Sequence, residues 1–291
     1  MRRRQFLFAL AAAAAGPSVL SGCKSAAGSA SKEKPAGAVR LVSLAPAVTD
    51  TLFAIEAGSG LVGVSDYCEP PAAFAKLPRL GTSITPSFEA IARLAPTLIV
   101  SEANASTRRR ELEAIAPTRL LPWLTLAEIA ESTRELGRLT HAEAAAESLA
   151  RRLLERLDVP EPASGPRVLV VLGEPGPEEL WFVRKNSLHG AALHAAGGRN
   201  AVHTDVLGPP RLSIEGLFAL DPDVVLVLTQ PNTRSAGERR RAQIARFEAL
   251  RAVREQRLGL VESDAAFSNG PRILSLVDAL RAELERVVVR P

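Results

Sequence analysis

The chain has 291 residues, of which 46% are hydrophobic, 4% aromatic and 23% charged, and its formal net charge is +4. Three arginines fall within the first 22 residues, which hold no acidic side chain, so a chain without that segment has 33 basic and 32 acidic residues. This near-neutral remainder, with no basic motif interleaved with aromatic residues, excludes a nucleic-acid-binding protein. The arginine clusters at 108–110 and 239–241 are therefore interpreted as solvated helix faces.

The N-terminus has the pattern of an export signal. A basic head at residues 2–4 precedes an apolar run at 6–15, which is too short to span a bilayer. This pattern predicts a signal peptide over residues 1–22. The sequence RRQFL at 3–7 is as compatible with twin-arginine export as with general secretion.

The two cysteines have different predicted roles. Cys23 directly follows Leu-Ser-Gly, a lipoprotein box, so it is predicted to carry a lipid and to become the first residue after cleavage. Residues 23–38, rich in Ser, Ala, Gly and Lys, are predicted to form a flexible tether. The protein is then expected to be lipid-anchored at a membrane, facing the periplasm or the cell exterior. Cys68 is left alone, so no intramolecular disulfide is expected.

From residue 39 onward, short apolar strands alternate with helices, which is typical of an α/β fold with parallel strands. Residues 39–123 are predicted to form an N-terminal lobe. Its predicted strands are 40–44, 61–64, 97–100 and 119–121, and its predicted helices are 46–57, 70–75, 88–95 and 107–116.

Residues 124–158 are predicted to be linking helices. The stretch 124–157 has no proline and a single glycine, and its second part, 141–157, has apolar residues at helical spacing. We expect two helices here, with the second one long.

Residues 159–291 are predicted to form a C-terminal α/β lobe. Its predicted strands are 167–172, 180–183, 223–228 and 258–262, and its predicted helices are 187–196, 213–220, 237–251 and 271–287. The predicted fold class is thus α/β, with two Rossmann-like lobes that contain parallel sheets, a single long helix that joins them and a ligand cleft between them.

One segment occurs twice in outline. Residues 87–100 (SFEAIARLAPTLIV) return at 213–226 (SIEGLFALDPDVVL), about 126 residues later, a period too long for a solenoid repeat. Each copy is predicted to be a short helix that leads into a buried strand. Glu89 and Glu215 fall in the first turn, where a carboxylate favours the positive end of the helix.

Together with this repeat, several segments resemble the helical-backbone substrate-binding proteins of ABC importers, whose members bind cobalamin, haem or ferric siderophores. The resemblance covers the chain from Arg40 onward, and its 61–71 segment is most similar to that of the cobalamin-binding members. The other segments that carry it are RLVSLAPAVTDTL at 40–52, GGRN at 197–200 and DAAFSNGPRIL at 264–274.

The resemblance implies a partner for the two glutamates. In such proteins one glutamate on each lobe docks with arginines of the two permease subunits, and Glu89 and Glu215 match those positions. Alternatively, each is only a first-turn helix acid, worth about 0.3–1 kcal/mol. The expected partners are therefore an ABC permease dimer with its ATPase, a small-molecule ligand and, through the lipid, the membrane, with the protein itself a monomer.

Candidate ligand residues come from loops that follow strands. The predicted ligand-binding residues are Pro46, Tyr67, Ser83, Asp264, Phe267 and Arg272. Further cleft candidates are the loops 102–104, 184–186 and 264–269, together with Pro209. Tyr67 is the only tyrosine of the chain and matches an aromatic position of the family. Asp264 and Arg272 could instead form an intramolecular ion pair.

The ligand remains open between three metal chelates. Cobalamin is the first expectation, although the positions of family tryptophans hold Ser83, Ser101 and approximately Pro209 here, and Trp123 and Trp181 are interpreted as core residues. Haem would need an axial ligand, which Tyr67 could supply. A ferric siderophore would need cations, for which Arg184, Lys185 and Arg272 are available.

No catalytic or metal site is predicted. The chain lacks the Gly-x-Ser-x-Gly, His-Glu-x-x-His, P-loop and Gly-x-Gly-x-x-Gly motifs, which argues against an exported lipoprotein hydrolase. The four histidines, His141, His189, His194 and His203, show no metal-ligand spacing. No cofactor is expected beyond the lipid on Cys23 and the transported ligand, and the protein is predicted not to be an enzyme.

Overall fold

Ten strands and ten α-helices occur in the part of the chain that this computed structural model describes, residues 39–104, 106–173, 179–206 and 208–288. The predicted signal peptide, Cys23 and the tether lie outside these ranges. The strands are β1 Leu41–Ser43, β2 Leu61–Val64, β3 Leu98–Glu102, β4 Thr118–Leu121, β5 Arg167–Leu172, β6 Glu179–Trp181, β7 Arg199–Asn200, β8 Arg211–Ser213, β9 Val224–Thr229 and β10 Leu258–Glu262. The helices are α1 Pro46–Ala54, α2 Phe88–Arg93, α3 Arg109–Glu113, α4 Leu126–Thr140, α5 Glu143–Leu157, α6 Leu188–Ala195, α7 Ile214–Leu220, α8 Arg234–Ile244, α9 Arg251–Arg254 and α10 Ile273–Val288.

Two four-stranded sheets have the same topology. The first has the order β2-β1-β3-β4 and the second β10-β9-β5-β7, and all pairings within them are parallel. When the strands of each sheet are numbered along the chain, both orders read 2-1-3-4 from one edge. The repeated segment supplies the third strand of each sheet, preceded by α2 in one case and α7 in the other. The predicted α/β class with parallel sheets is confirmed.

The strands carry apolar side chains on both faces, as is typical of buried parallel sheets. All six residues of β9 are buried, and alternate residues enter different cores. Val224, Leu226 and Leu228 enter a core that continues from the first sheet to the second, whereas Val225 and Val227 face a separate outer core. This shared core explains why the described residues belong to one compact unit. The lobe boundaries at 123 and 158 remain predictions.

The connection between the sheets consists of two packed helices. The predicted second helix is α5, which is 15 residues long, as is α4. Thr125 and Glu128 form a capping box at the start of α4, and His141 ends it in the left-handed conformation, at a φ of 56°. Gly137 allows the two helices to approach closely, because a Cβ there would lie 2.5 Å from the Cβ of Ala146.

Two predicted elements of the second half differ from the structure. The strand predicted at 180–183 is β6, and it pairs antiparallel with β8, outside the parallel sheet. The helix predicted at 237–251 is divided into α8 and α9, because the chain turns between them to bury Leu250 in the outer core. Among the described residues, none of the helices has the length and hydropathy needed to cross a membrane.

Candidate functional site

A cleft of about 400 Å³ lies between residues that follow the strands of the two sheets. This is the position at which open α/β sheets bind ligands, beyond the carboxyl ends of the strands. Its lining from the first half is Pro46, Ala47, Asp50, Tyr67, Glu69 and Glu102, and its lining from the second half is Gln230, Asp264, Phe267, Ser268, Asn269 and Arg272. Five of the six predicted ligand residues, all except Ser83, line it.

The wall that carries Tyr67 is a loop held by its neighbours. Cys68 is buried beneath it, with its sulfur 3.1 Å from Thr49 Oγ1 and 3.2 Å from Ser65 Oγ. The guanidinium of Arg79 donates to the carbonyls of Ser65 and Cys68. With the backbone fixed on both sides, the Tyr67 side chain is directed outward and is 72% exposed. An aromatic ring is therefore available at the cleft without a competing internal partner among the described residues.

The opposite wall is the loop that follows β10. His189 Nε2 lies 2.9 Å from the carbonyl oxygen of Ala266, in the middle of this loop. Burial lowers the pKa of His189, whereas the Ala266 hydrogen bond acts in the opposite direction. The neutral imidazole thus holds the segment that bears Asp264 and Phe267. The histidine matters to the site through this loop, and it does not line the cleft.

Arg272 joins the two walls through ion pairs. Its Nε donates to Asp50 Oδ2 at 2.8 Å, and its Nη1 lies 3.4 Å from Glu69 Oε2. Burial raises the pKa of Asp50, and the attraction of Arg272 opposes this shift without cancelling it. The alternative pairing of Arg272 with Asp264 is wrong, because the guanidinium is directed at α1 and at the loop after β2 instead.

Glu102 ends β3, lines the cleft and is half-buried. Burial raises the pKa of its carboxyl. Within the described residues it has no hydrogen bond or ion pair from its side chain, in contrast to Asp50. A carboxylate that has lost water and gained no partner is energetically unfavourable. A positively charged partner would therefore be stabilised at Glu102.

Trp123 provides a second link between the halves. It follows β4 and is nearly buried, and its Nε1 donates to the carbonyl oxygen of Asn269 at 2.9 Å. Its predicted core position agrees with this burial. The corresponding prediction for Trp181 is wrong, since Trp181 is 42% exposed on β6 with the guanidinium of Arg211 over its ring.

The Trp123 link predicts a measurable stability difference. We expect Trp123→Phe to lower the free energy of unfolding by about 1–2 kcal/mol, because Asn269 loses its donor and part of a buried ring is removed. The same change at the exposed Trp181 should cost about 0.5 kcal/mol or less. Urea titration followed by circular dichroism measures both, and equal losses would contradict a special role for the indole hydrogen bond.

Several predicted cleft residues lie elsewhere. Ser83 is in a turn closed by hydrogen bonds between Thr82 and Thr85, so it does not reach the cleft lining. Lys185 pairs with Glu161 at 3.8 Å, and Arg184 donates weakly to the carbonyl of Gly208. Neither cation lines the cleft, and neither does Pro209, Ser101 or Asn104.

Three polar lining residues were missed from the sequence. Asp50 lies one helical turn beyond Pro46, so the i, i+4 spacing places both on one face of α1. Glu69 is in the same loop as Tyr67, and Gln230 immediately follows β9. The signals that point to them are the single charged residue of α1 and the rule that ligands meet the carboxyl ends of strands.

The two repeated glutamates occupy equivalent places. Glu89 is in the first turn of α2 and Glu215 in the first turn of α7, and both are exposed. Glu89 pairs with Arg93 at 2.6 Å on the surface. Backbone hydrogen bonding at its own residue and the Ser213 hydroxyl lower the pKa of Glu215. The equivalence follows from the shared topology, and the docking role remains a prediction.

Other reactive side chains do not assemble a second site. The described residues contain no group of three or more histidine, cysteine or acidic side chains that could hold a metal ion. Cys68 has hydroxyl neighbours and no histidine partner in that part of the chain.

Comparison with known proteins gives a consistent result. The family model described as periplasmic binding protein matches residues 41–265. The vitamin B12-binding protein of Salmonella typhimurium is 27% identical over 194 residues, which is 65% of this chain and 72% of that protein. These matches are to binding proteins, and they confirm the prediction that the chain is not an enzyme.

Solved structures share the fold. The periplasmic vitamin B12-binding protein of Vibrio cholerae superimposes with a TM-score of 0.66 at 24% identity, over 86% of this chain and 98% of that chain. The periplasmic haem-binding protein of the same organism gives a TM-score of 0.69 at 19% identity, over 84% and 98%. Because these two proteins share one fold and bind different ligands, the fold alone does not identify the ligand of this chain.

Proposed function

The chain belongs to the periplasmic binding protein family, and from that premise we propose that it is the extracytoplasmic substrate-binding protein of an ABC importer. The observation that carries the proposal is the cleft at the carboxyl ends of both parallel sheets, with the exposed ring of Tyr67 on one wall. Pro46, Tyr67, Asp264, Phe267 and Arg272 are the proposed ligand contacts. The protein captures its ligand there and delivers it to a permease.

The proposed ligand is a cobalamin-like metal chelate. The similarity to a vitamin B12-binding protein supports this choice, as does the 61–71 segment that contains Tyr67. Tyr67 and Phe267 offer apolar surface on opposite walls, and the carboxylates and two amides of the lining offer polar contacts. Apolar walls with a few placed polar groups are the usual construction of a small-molecule site.

Haem is the second candidate, because Tyr67 has a free phenol that could serve as an axial ligand. A ferric siderophore is less well supported than the sequence suggested. Of the three expected cations, only Arg272 lines the cleft, and it is paired with two carboxylates.

Delivery would use features outside the cleft. Cys23 is proposed to carry the lipid, residues 23–38 to act as the tether, and Glu89 and Glu215 to contact the permease subunits. Charge complementarity at such a contact mainly sets the encounter rate and the registry of the two proteins.

A ligand titration tests this function. We expect the purified protein, mixed with cobalamin, haem or a ferric siderophore, to take up cobalamin at one site, measured by absorbance after gel filtration and by calorimetry. Tyr67→Phe keeps the ring and removes the phenol oxygen, so cobalamin affinity should change little, whereas haem ligated by that oxygen would lose its tyrosinate spectrum. Binding of none of the three would contradict the proposed ligand class.

A further inference from the structure

The charge of the cleft lining is unbalanced. Among the described residues, four carboxylates line it, those of Asp50, Glu69, Glu102 and Asp264, against the single guanidinium of Arg272. They come from four separate elements, α1, the loop after β2, the end of β3 and the loop after β10. The excess is thus a property of the assembled cleft, and no single stretch of the sequence displays it.

The one cation that the described residues contribute to the lining already has partners. Arg272 pairs with Asp50 at 2.8 Å and with Glu69 at 3.4 Å, so its positive charge is directed at one side of the cleft. The two lining carboxylates that Arg272 does not contact are those of Glu102 and Asp264. Across the described ranges, no hydrogen bond or ion pair is made by either side chain. Their negative charge therefore faces the open volume.

Burial makes the negative charge of Glu102 in particular energetically unfavourable. Its pKa is raised by burial, and among the described residues nothing offsets that cost. A buried carboxylate without a partner favours whichever ligand brings positive charge to it. Anionic groups, by contrast, would add repulsion from the same carboxylates to their own loss of water.

From this geometry we infer that the cleft selects a ligand that is cationic where it meets Glu102 and Asp264, and discriminates against anionic chelates. The inference rests on the proposed function, because it specifies the charge class of the ligand held in the same cleft. Within corrinoids it favours forms with a positively charged cobalt centre over neutral and carboxylate-bearing forms. It also ranks haem, with its two propionates, and anionic ferric siderophores below them.

A charge series on a constant scaffold tests the inference. The purified full chain is titrated calorimetrically with aquocobalamin, cyanocobalamin and a cobalamin in which one side-chain amide is hydrolysed to a carboxylate. We expect affinity to fall in that order by about threefold to tenfold per unit of charge, as for an ion pair at a partly exposed site. The differences should shrink as salt concentration rises.

Two nearly isosteric variants locate the effect. Glu102→Gln and Asp264→Asn should each weaken aquocobalamin binding about threefold to tenfold more than they weaken cyanocobalamin binding. Glu285→Gln is the matched control, because Glu285 is exposed on α10, about 18 Å along the helix from its start, and does not line the cleft. It should leave all affinities unchanged.

A second scaffold separates the inference from the proposed function. The same chain is titrated with a tetracationic N-methylpyridyl porphyrin and a tetraanionic sulfonatophenyl porphyrin. Binding of the cationic porphyrin alone, with no corrinoid bound, would contradict the corrinoid assignment and support the charge selection. Equal or tighter binding of the anionic member in either series would overturn the charge selection, even with corrinoid binding intact. Absence of binding by every probe would overturn both.

Discussion

Reversing the charge of both Glu89 and Glu215 to arginine should abolish ligand uptake while the purified protein retains its ligand affinity within a few-fold. The proposed docking surface presents one carboxylate from each half of the chain to a permease built from two subunits. Replacing both carboxylates by guanidinium groups would turn two attractions into two repulsions. Like charges brought together at an interface cost several kcal/mol, which is sufficient to prevent productive docking.

The structure makes the two positions comparable. Each glutamate lies in the first turn of a short helix that leads into the third strand of a 2-1-3-4 sheet, and each is exposed. Neither lines the cleft, so ligand binding should not depend on them. The competing explanation, a first-turn acid that stabilises its own helix, predicts only about 0.3–1 kcal/mol lost per site and no defect in uptake.

Glu143→Arg separates these explanations. Glu143 is also an exposed acid in the first turn of a helix, α5, but it has no counterpart in the repeated segment. Uptake of radiolabelled ligand by cells that carry each variant is compared with unfolding and ligand affinity of the purified proteins. If the double variant transports normally, or if Glu143→Arg abolishes uptake as well, the docking proposal is wrong.

The sequence predicted those features that depend on local patterns. Apolar runs of four to six residues between helices predicted the parallel strands, and the repeat at residues 87 and 213 predicted that two halves would share a topology. Tyr67, Asp264 and Phe267 were found because they follow strands. The strand and loop signals each lie within about a dozen consecutive residues, and the repeat only compares two short segments, so neither the orientation of the sheets nor any long-range contact was needed.

Long-range pairing could not be predicted. Arg272 pairs with Asp50, 222 residues earlier, and nothing in the local sequence of either residue distinguishes this pair from an Asp264–Arg272 pair. The acidic excess of the cleft has the same origin, since its four carboxylates come from four elements. Ser83, by contrast, does not line the cleft because of a local contact. Hydrogen bonds between Thr82 and Thr85 close the turn that contains it.

Replacement of Arg272 by alanine should lower the free energy of unfolding by about 1–3 kcal/mol at neutral pH. The Asp50 side chain is only 8% exposed, and Arg272 is the cation that compensates it. Removing one partner of a buried pair leaves an uncompensated charge, at a cost of about 3–5 kcal/mol for full burial and less here because Arg272 is partly exposed. Arg93→Ala, which breaks the exposed Glu89 pair, should cost about 0.5 kcal/mol or less.

The pH dependence of the Arg272→Ala defect identifies its cause. Burial already raises the folded-state pKa of Asp50 above 3.8, and loss of the Arg272 attraction would raise it further. A carboxyl with a raised folded pKa carries no penalty below its unfolded pKa and the full penalty above its folded pKa. The deficit relative to wild type should therefore be greatest near pH 7 and should shrink as the pH falls toward about 4. Glu69, the other carboxylate at Arg272, is exposed and should contribute less.

Asp50→Asn in the Arg272→Ala background completes the test. The amide keeps the shape of the carboxyl and removes its charge, so this double variant should recover part of the lost stability at pH 7 and show a flatter pH profile. Urea titrations between pH 4 and pH 8 measure both effects. A deficit that is independent of pH, and is not reduced by Asp50→Asn, would mean that Arg272 stabilises the fold by packing alone. In that case the contact between the two walls of the cleft would not depend on the Asp50–Arg272 ion pair.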